Sequence, residues 1–204
     1  RKLVLVAVLT LSAFAARAEN VALVLDSTQY RHLPDILGAG PGDQAQALLA
    51  QRGFDVVVAR DMPIGDLRAE LAALQARLEN GGVDRLVVVV SGWFAASDSG
   101  AWVLATDADQ PGLATVDGAG LRLDTLMELA SDVSGAAHIW LVDRRQRDVS
   151  DALGYGLGAG LPDRLAVPRA VTVMRGNSRA VLTGLKAVLQ PGTTLSEALA
   201  ATRG

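Results

Sequence analysis

Residues 143–147 read Asp-Arg-Arg-Gln-Arg, one carboxylate and three guanidinium groups within five positions. Arginine presents a planar fork of donors that matches a carboxylate or phosphate two hydrogen bonds at a time, so Arg144, Arg145 and Arg147 could seat an anion. The same three side chains could instead pair with Asp148 and Asp151 on a solvated loop, where ion pairs contribute little.

Nucleophilic chemistry has few other carriers. The chain contains no cysteine, which removes disulfides, zinc–thiolate sites and a thiol nucleophile together. It has two histidines, His32 and His138, far apart in sequence. Ser97-Asp98-Ser99-Gly100 has the residue types of a serine-protease nucleophile segment, but so short a polar stretch between apolar runs reads as a turn. Asp98, Asp107, Asp109 and Asp117 offer the hard oxygens that calcium takes, without the spacing of a calcium loop, and read as solvated loop acids. Residues 38–42 and 154–160 are glycine-rich. Neither opens a helix as G-x-G-x-x-G, neither carries the Lys and Ser/Thr of a phosphate-binding loop, and both read as flexible loops. No metal or cofactor site follows from these patterns.

The elements that must position these residues alternate. Residues 21–25 form a β-branched apolar run, the mark of a strand buried on both faces. Ala45, Leu48 and Leu49 fall at helical spacing in 43–52, closed by Gly53. Residues 54–59 form a second strand. Asp61 and Pro63 open a helix in which Ile64, Leu67, Leu71, Leu74 and Leu78 recur at steps of three and four. Residues 86–90 are the third strand, 102–105 a short extra strand and 121–130 a helix. Residues 137–142 and 170–174 are the fourth and fifth central strands. Helices near 179–189 and 195–202 close the chain, the last with Thr194 and Glu197 at capping-box spacing. Such alternation predicts an α/β fold with a mainly parallel sheet of about five to six strands and helices on both faces.

Residues 1–18 differ from the rest. Arg1 and Lys2 precede an uncharged run of fourteen residues, 3–16, and Ala16-Arg17-Ala18 offers small residues where a signal peptidase reads. A spanning helix needs roughly 20 apolar residues. The expectation is a secretory signal cleaved after Ala18, a single domain over 19–204, no stable membrane span after cleavage, and a periplasmic or secreted bacterial product. Cleavage would remove Arg1, Lys2 and Arg17 and no acid, leaving 16 basic against 22 acidic residues, a net −6. That balance argues against nucleic-acid binding.

Several segments, taken in order, resemble bacterial caspase-like and metacaspase-type peptidases. Val21-Ala-Leu-Val-Leu-Asp-Ser-Thr-Gln-Tyr30, then Asp43-Gln-Ala and Gly53-Phe-Asp-Val56, are similar to that family's A-L-V-I-G-N-x-x-Y strand, N-D-A helix start and G-F-x-V strand. Trp102-Val-Leu-Ala-Thr-Asp-Ala-Asp109 is similar to Y-L-L-P-x-D-A-D, and His138-Ile-Trp-Leu-Val-Asp143 to the strand that delivers the nucleophile. The resemblance implies a caspase-like fold. It also implies a degenerate site, because the G-H-G histidine falls on Trp93, the following glycine on Phe94, and the D-A-C cysteine on Arg145. An indole is a donor only, and arginine stays protonated, so neither can serve a Cys–His mechanism. A shift of one residue brings Arg144 or Gln146 to the cysteine position, and neither is a nucleophile.

The resemblance puts Asp143, Arg144, Arg145 and Arg147 at the mouth of the former active site, with Trp93 and Phe94 as an apolar wall and Phe94 crowding the substrate carbonyl. The leading expectation is a non-catalytic domain that binds an unknown protein or peptide partner there. The alternatives are a hydrolase acting through an unrecognised set of residues and a structural domain that forms homodimers through edge strands.

Overall fold

The computed structural model describes residues 19–144 and 147–190, with the backbone alone at 147 and 148. Arg145, the Arg147 side chain, the signal-like segment and the expected last helix lie outside the described residues.

Continuous apolar runs become the inner strands of a five-stranded parallel sheet. β1 (Glu19–Asp26), β3 (Val83–Ser91) and β7 (Ala136–Val142) are flanked by β2 (Asp55–Arg60) and β9 (Val171–Gly176), in the order β2-β1-β3-β7-β9. Alternate side chains then serve two cores. Ala22 and Val24, with Val87, Val89, Trp140 and Val142, pack under α1 (Gly42–Gln51) and α5 (Ser178–Val188), which contribute Ala45, Leu49, Val181 and Leu185. Leu23, Leu25, Val88, Val90, Ile139 and Leu141 face the other way. They meet Leu67, Leu71 and Leu74 of α2 (Ile64–Glu79) and Leu126 and Met127 of α3 (Leu123–Ser131). Each such side chain contributes about 1.5–3 kcal/mol by burial. Both faces are covered, as the sequence pattern requires.

A second sheet was only partly legible. Four short antiparallel strands, β4 (Phe94–Ser97), β5 (Gly100–Leu104), β6 (Gly120–Arg122) and β8 (Gly158–Ala159), pair in the order β6-β5-β4-β8. Residues 97–100 are the β4–β5 turn: Ser97 pairs with Gly100, and Ser97 Oγ accepts from the Ser99 amide at 3.1 Å. The helix expected over 121–130 starts later, because Leu121 pairs with Val103 as part of β6. Residues 154–160 are not simply a flexible loop, since Gly158 and Ala159 pair with Ala96 and Ala95. A four-residue helix, α4 (Arg147–Ser150), precedes this segment.

Asp61 does not cap α2. It adopts a left-handed conformation (φ 47°), and its Oδ1 accepts from the Thr28 and Gln29 amides at 2.7 and 2.9 Å, holding the loop after β1. The Ile64 amide at the start of α2 donates instead to Asp107 Oδ1 at 2.9 Å. Trp102 Nε1 donates to Asp117 Oδ1 at 2.7 Å, so two of the four loop acids have structural partners.

His138 sits at the start of β7, in register between Val87 and Thr172. Burial lowers its pKa from the ordinary value, and the charge of Arg85 adds to the effect. The unfolded chain therefore binds the proton more readily. Stability from this group is complete above the unfolded histidine pKa and is lost as pH falls through it toward the folded value. Chemical denaturation at pH 7.5 and 5 is expected to show a smaller acid-side loss in His138→Gln than in the parent. An unchanged difference between the two pH values would contradict this.

Candidate functional site

In parallel α/β sheets, ligands gather beyond the carboxyl ends of the strands, where the loops leave a crevice. Here that edge is built from the ends of β1, β3, β7 and β9. The loop 27–41 leaves β1 and is tied back to the segment after β3 by Tyr30 and Trp93. The Trp93 amide donates to Tyr30 Oη at 2.9 Å, and Trp93 Nε1 donates to the Pro34 carbonyl at 2.7 Å. Gly92 permits the approach, because a Cβ there would lie 2.9 Å from Tyr30 Oη. Burial drives the Tyr30 pKa well above the ordinary phenol value, the Trp93 N–H only partly offsetting it. Tyr30 is thus a neutral structural phenol and supplies no base.

On the other side, the Asp143 amide donates to the Gly176 carbonyl at 2.8 Å, joining the ends of β7 and β9. Asp143 Oδ2 pairs with Arg175 Nη2 at 2.8 Å, and Arg175 Nη1 donates to the Pro162 carbonyl. Asn177 caps α5 through Oδ1, which accepts from the Ala180 amide at 2.9 Å. A cleft of about 570 Å³ opens between these groups. Ile36, Leu37 and Trp93 form its apolar side, Asp143 and Arg144 its floor beyond β7, and Asn177, Ser178 and Arg179 its far wall.

The structure therefore brings together Trp93, Asp143 and Arg144 from the expected set. Phe94 requires a correction. It is 0% exposed within the core beneath the second sheet and does not line the cleft. Trp93, just before β4, packs with Ala95 and Trp102 on one side of the second sheet while Phe94 packs with Ala101 and Val103 on the other, so Phe94 neither walls the cleft nor reaches a carbonyl bound in it. Trp93 itself is 3% exposed and presents little more than an edge. Ile36, Leu37 and Arg179 were missed as cleft residues. Asn177 followed by Ser178 is a helix-start signal that could have drawn attention to the far wall.

The arrangement offers hydrogen-bond donors and cations, with one carboxylate already paired. His32 is exposed on the loop, His138 lies at the opposite end of the sheet, and the buried Ser91 does not line the cleft. No described histidine stands beside a serine at this edge.

No family model matches the chain, and no curated protein matches it. Among solved structures, the Drosophila initiator caspase Dronc superposes with a TM-score of 0.61 at 10% identity, over 92% of this chain and 72% of that one. This chain has a caspase-like fold. Pro-sf-caspase-1 gives a TM-score of 0.49 at 14% identity over 83% and 71% of the two chains. Protein GSU0716 from Geobacter sulfurreducens gives 0.44 at 16% over 61% and 50%. The caspase-like fold here comes without cysteine, so the Cys–His dyad of caspases is absent.

Proposed function

We propose that this caspase-fold chain is a non-catalytic binding module that holds a carboxylate-bearing peptide or protein segment in the cleft beyond β3, β7 and β9. The observation that carries the reading is the lining of that cleft. Two arginines, Arg144 and Arg179, line it together with Ile36, Leu37 and Trp93, and its one described carboxylate, Asp143, is already paired with Arg175. Guanidinium groups beside an apolar wall favour an anionic group joined to a hydrocarbon part, as in an acidic peptide. On this reading Trp93 occupies the family's histidine position and Arg145 its cysteine position. Export to the periplasm or beyond, with 1–18 removed and 19–204 folding as one domain, belongs to the same proposal. The mass of the chain recovered from a bacterial periplasm would read it.

Digestion of a complex peptide library, followed by mass spectrometry with and without calcium, tests the central claim. The expected result is no new peptide terminus above an Arg145→Ala control, together with retention of acidic peptides on the immobilised chain. New termini that persist in Arg145→Ala would reveal an unrecognised nucleophile. Cleavage abolished by that variant would overturn the assignment of position 145.

A further inference from the structure

A groove of about 620 Å³ runs between α1 and α5 and adjoins the cleft, with Ser178 and Arg179 lining both. Its apolar surface comes from Ala47 and Leu48 on α1 and Leu182 on α5. Among the described residues, its charged side chains are Arg179 and Lys186, both exposed, and no acid lines it. Asp43, the acid of α1, is paired with Arg60 instead. Neither Arg179 nor Lys186 forms an ion pair with a described residue. On a chain of net charge −3, this is a locally cationic, partly apolar channel.

We propose that the α1–α5 groove, adjoining the cleft described above, is a docking surface for an acidic, partly apolar polypeptide segment of a partner. The inference rests on the proposed binding function and adds the partner's chemistry and path. Arg179 and Lys186 are seven residues apart on one helix, which places them about 10 Å apart along its axis. An extended peptide rises about 3.3 Å per residue, so its acids are expected about three residues apart, with an apolar side chain between them over Leu48 and Leu182. Nucleic acid fits less well, because phosphate tracking needs a row of cations on a basic surface. Residues 191–204 of this chain carry one acid and one base and offer no charge complement.

The test is selection from a phage-displayed random dodecapeptide library on the immobilised full chain. Fluorescence anisotropy of the selected peptides would then be read against the parent, Leu37→Glu, Lys186→Glu and Lys186→Arg. Leu37 is 91% exposed on the cleft side and Lys186 is exposed on α5, so the fold should tolerate each change. Acidic peptides are expected, weakened about tenfold or more by Lys186→Glu, retained by Lys186→Arg and weakened by added salt. Weakening by Leu37→Glu but not Lys186→Glu would overturn the groove while leaving the cleft. The reverse pattern would keep the groove and overturn the cleft reading. Basic or neutral selected peptides, no selected peptides, or tighter binding of a twelve-nucleotide single-stranded DNA would overturn the groove inference.

Discussion

Trp93→Ala is expected to destabilise the fold by about 3–5 kcal/mol, the range for removing a large buried aromatic side chain. The side chain is 3% exposed and packs with Tyr30, Leu33 and Ile36 beneath the loop 27–41. Its indole N–H also holds the Pro34 carbonyl at 2.7 Å. Alanine leaves a cavity and removes that hydrogen bond, so the loop keeps only the Ser27 amide's bond to the Ser91 carbonyl and the bond from the residue 93 amide to Tyr30 Oη on this side. Trp93→Phe separates the two losses, keeping most of the volume and giving up the bond, which is worth about 1 kcal/mol. Urea denaturation reads the stability, and limited proteolysis within 28–41 reads the loop. A cost below about 1 kcal/mol for Trp93→Ala, with the loop still protected, would show that Trp93 does not hold this side of the cleft. Trp93→His is expected to lose stability as well and to gain no cleavage, because no thiol accompanies the new imidazole.

The same residue shows how far the sequence could be read. Position 93 was legible as a donor-only group at the end of the third central strand. Its burial was not, because the covering loop comes from a segment sixty residues earlier. Phe94 was placed beside it by adjacency, yet it packs on the other side of the second sheet. The five central strands were legible because β1, β3 and β7 are buried on both faces and therefore run continuously apolar. β4, β6 and β8, at two to four residues, are too short to show a period, and tertiary pairing alone defines them. Leu121 illustrates the competition: its helical spacing to Leu129 is real, but the backbone pairs with Val103 first. The cleft's far wall was hidden for a related reason. Asn177 and Arg179 reach the site only because β9 lies beside β7, a neighbour relation that sequence order does not state.

Gly40→Ala is expected to cost about 2–3 kcal/mol, for a reason invisible in the sequence. The segment 38–42 reads as a flexible glycine-rich loop, but in the fold it packs onto Asp26, whose carboxylate is buried at the end of β1. A Cβ at Gly40 would fall 2.1 Å from Asp26 Oδ1 and 2.4 Å from its Cγ. The carboxylate has little freedom to retreat, since Oδ2 accepts from the Gly42 amide at 3.0 Å and a Cβ at Gly42 would meet it at 2.4 Å. Overpacking of this kind typically costs 1–3 kcal/mol. The decisive comparison is a double-mutant cycle with Asp26→Ala, which removes the three atoms nearest that Cβ, Oδ1, Oδ2 and Cγ of Asp26. In that background Gly40→Ala is expected to cost less than about 0.5 kcal/mol, because Gly40 needs no left-handed φ and alanine lowers the entropy of the unfolded chain. A coupling of about 1–3 kcal/mol between the two positions would then measure the crowding directly. Equal costs in both backgrounds would mean that Gly40 is needed for its backbone freedom, and the loop would then owe its path to something other than close packing on Asp26.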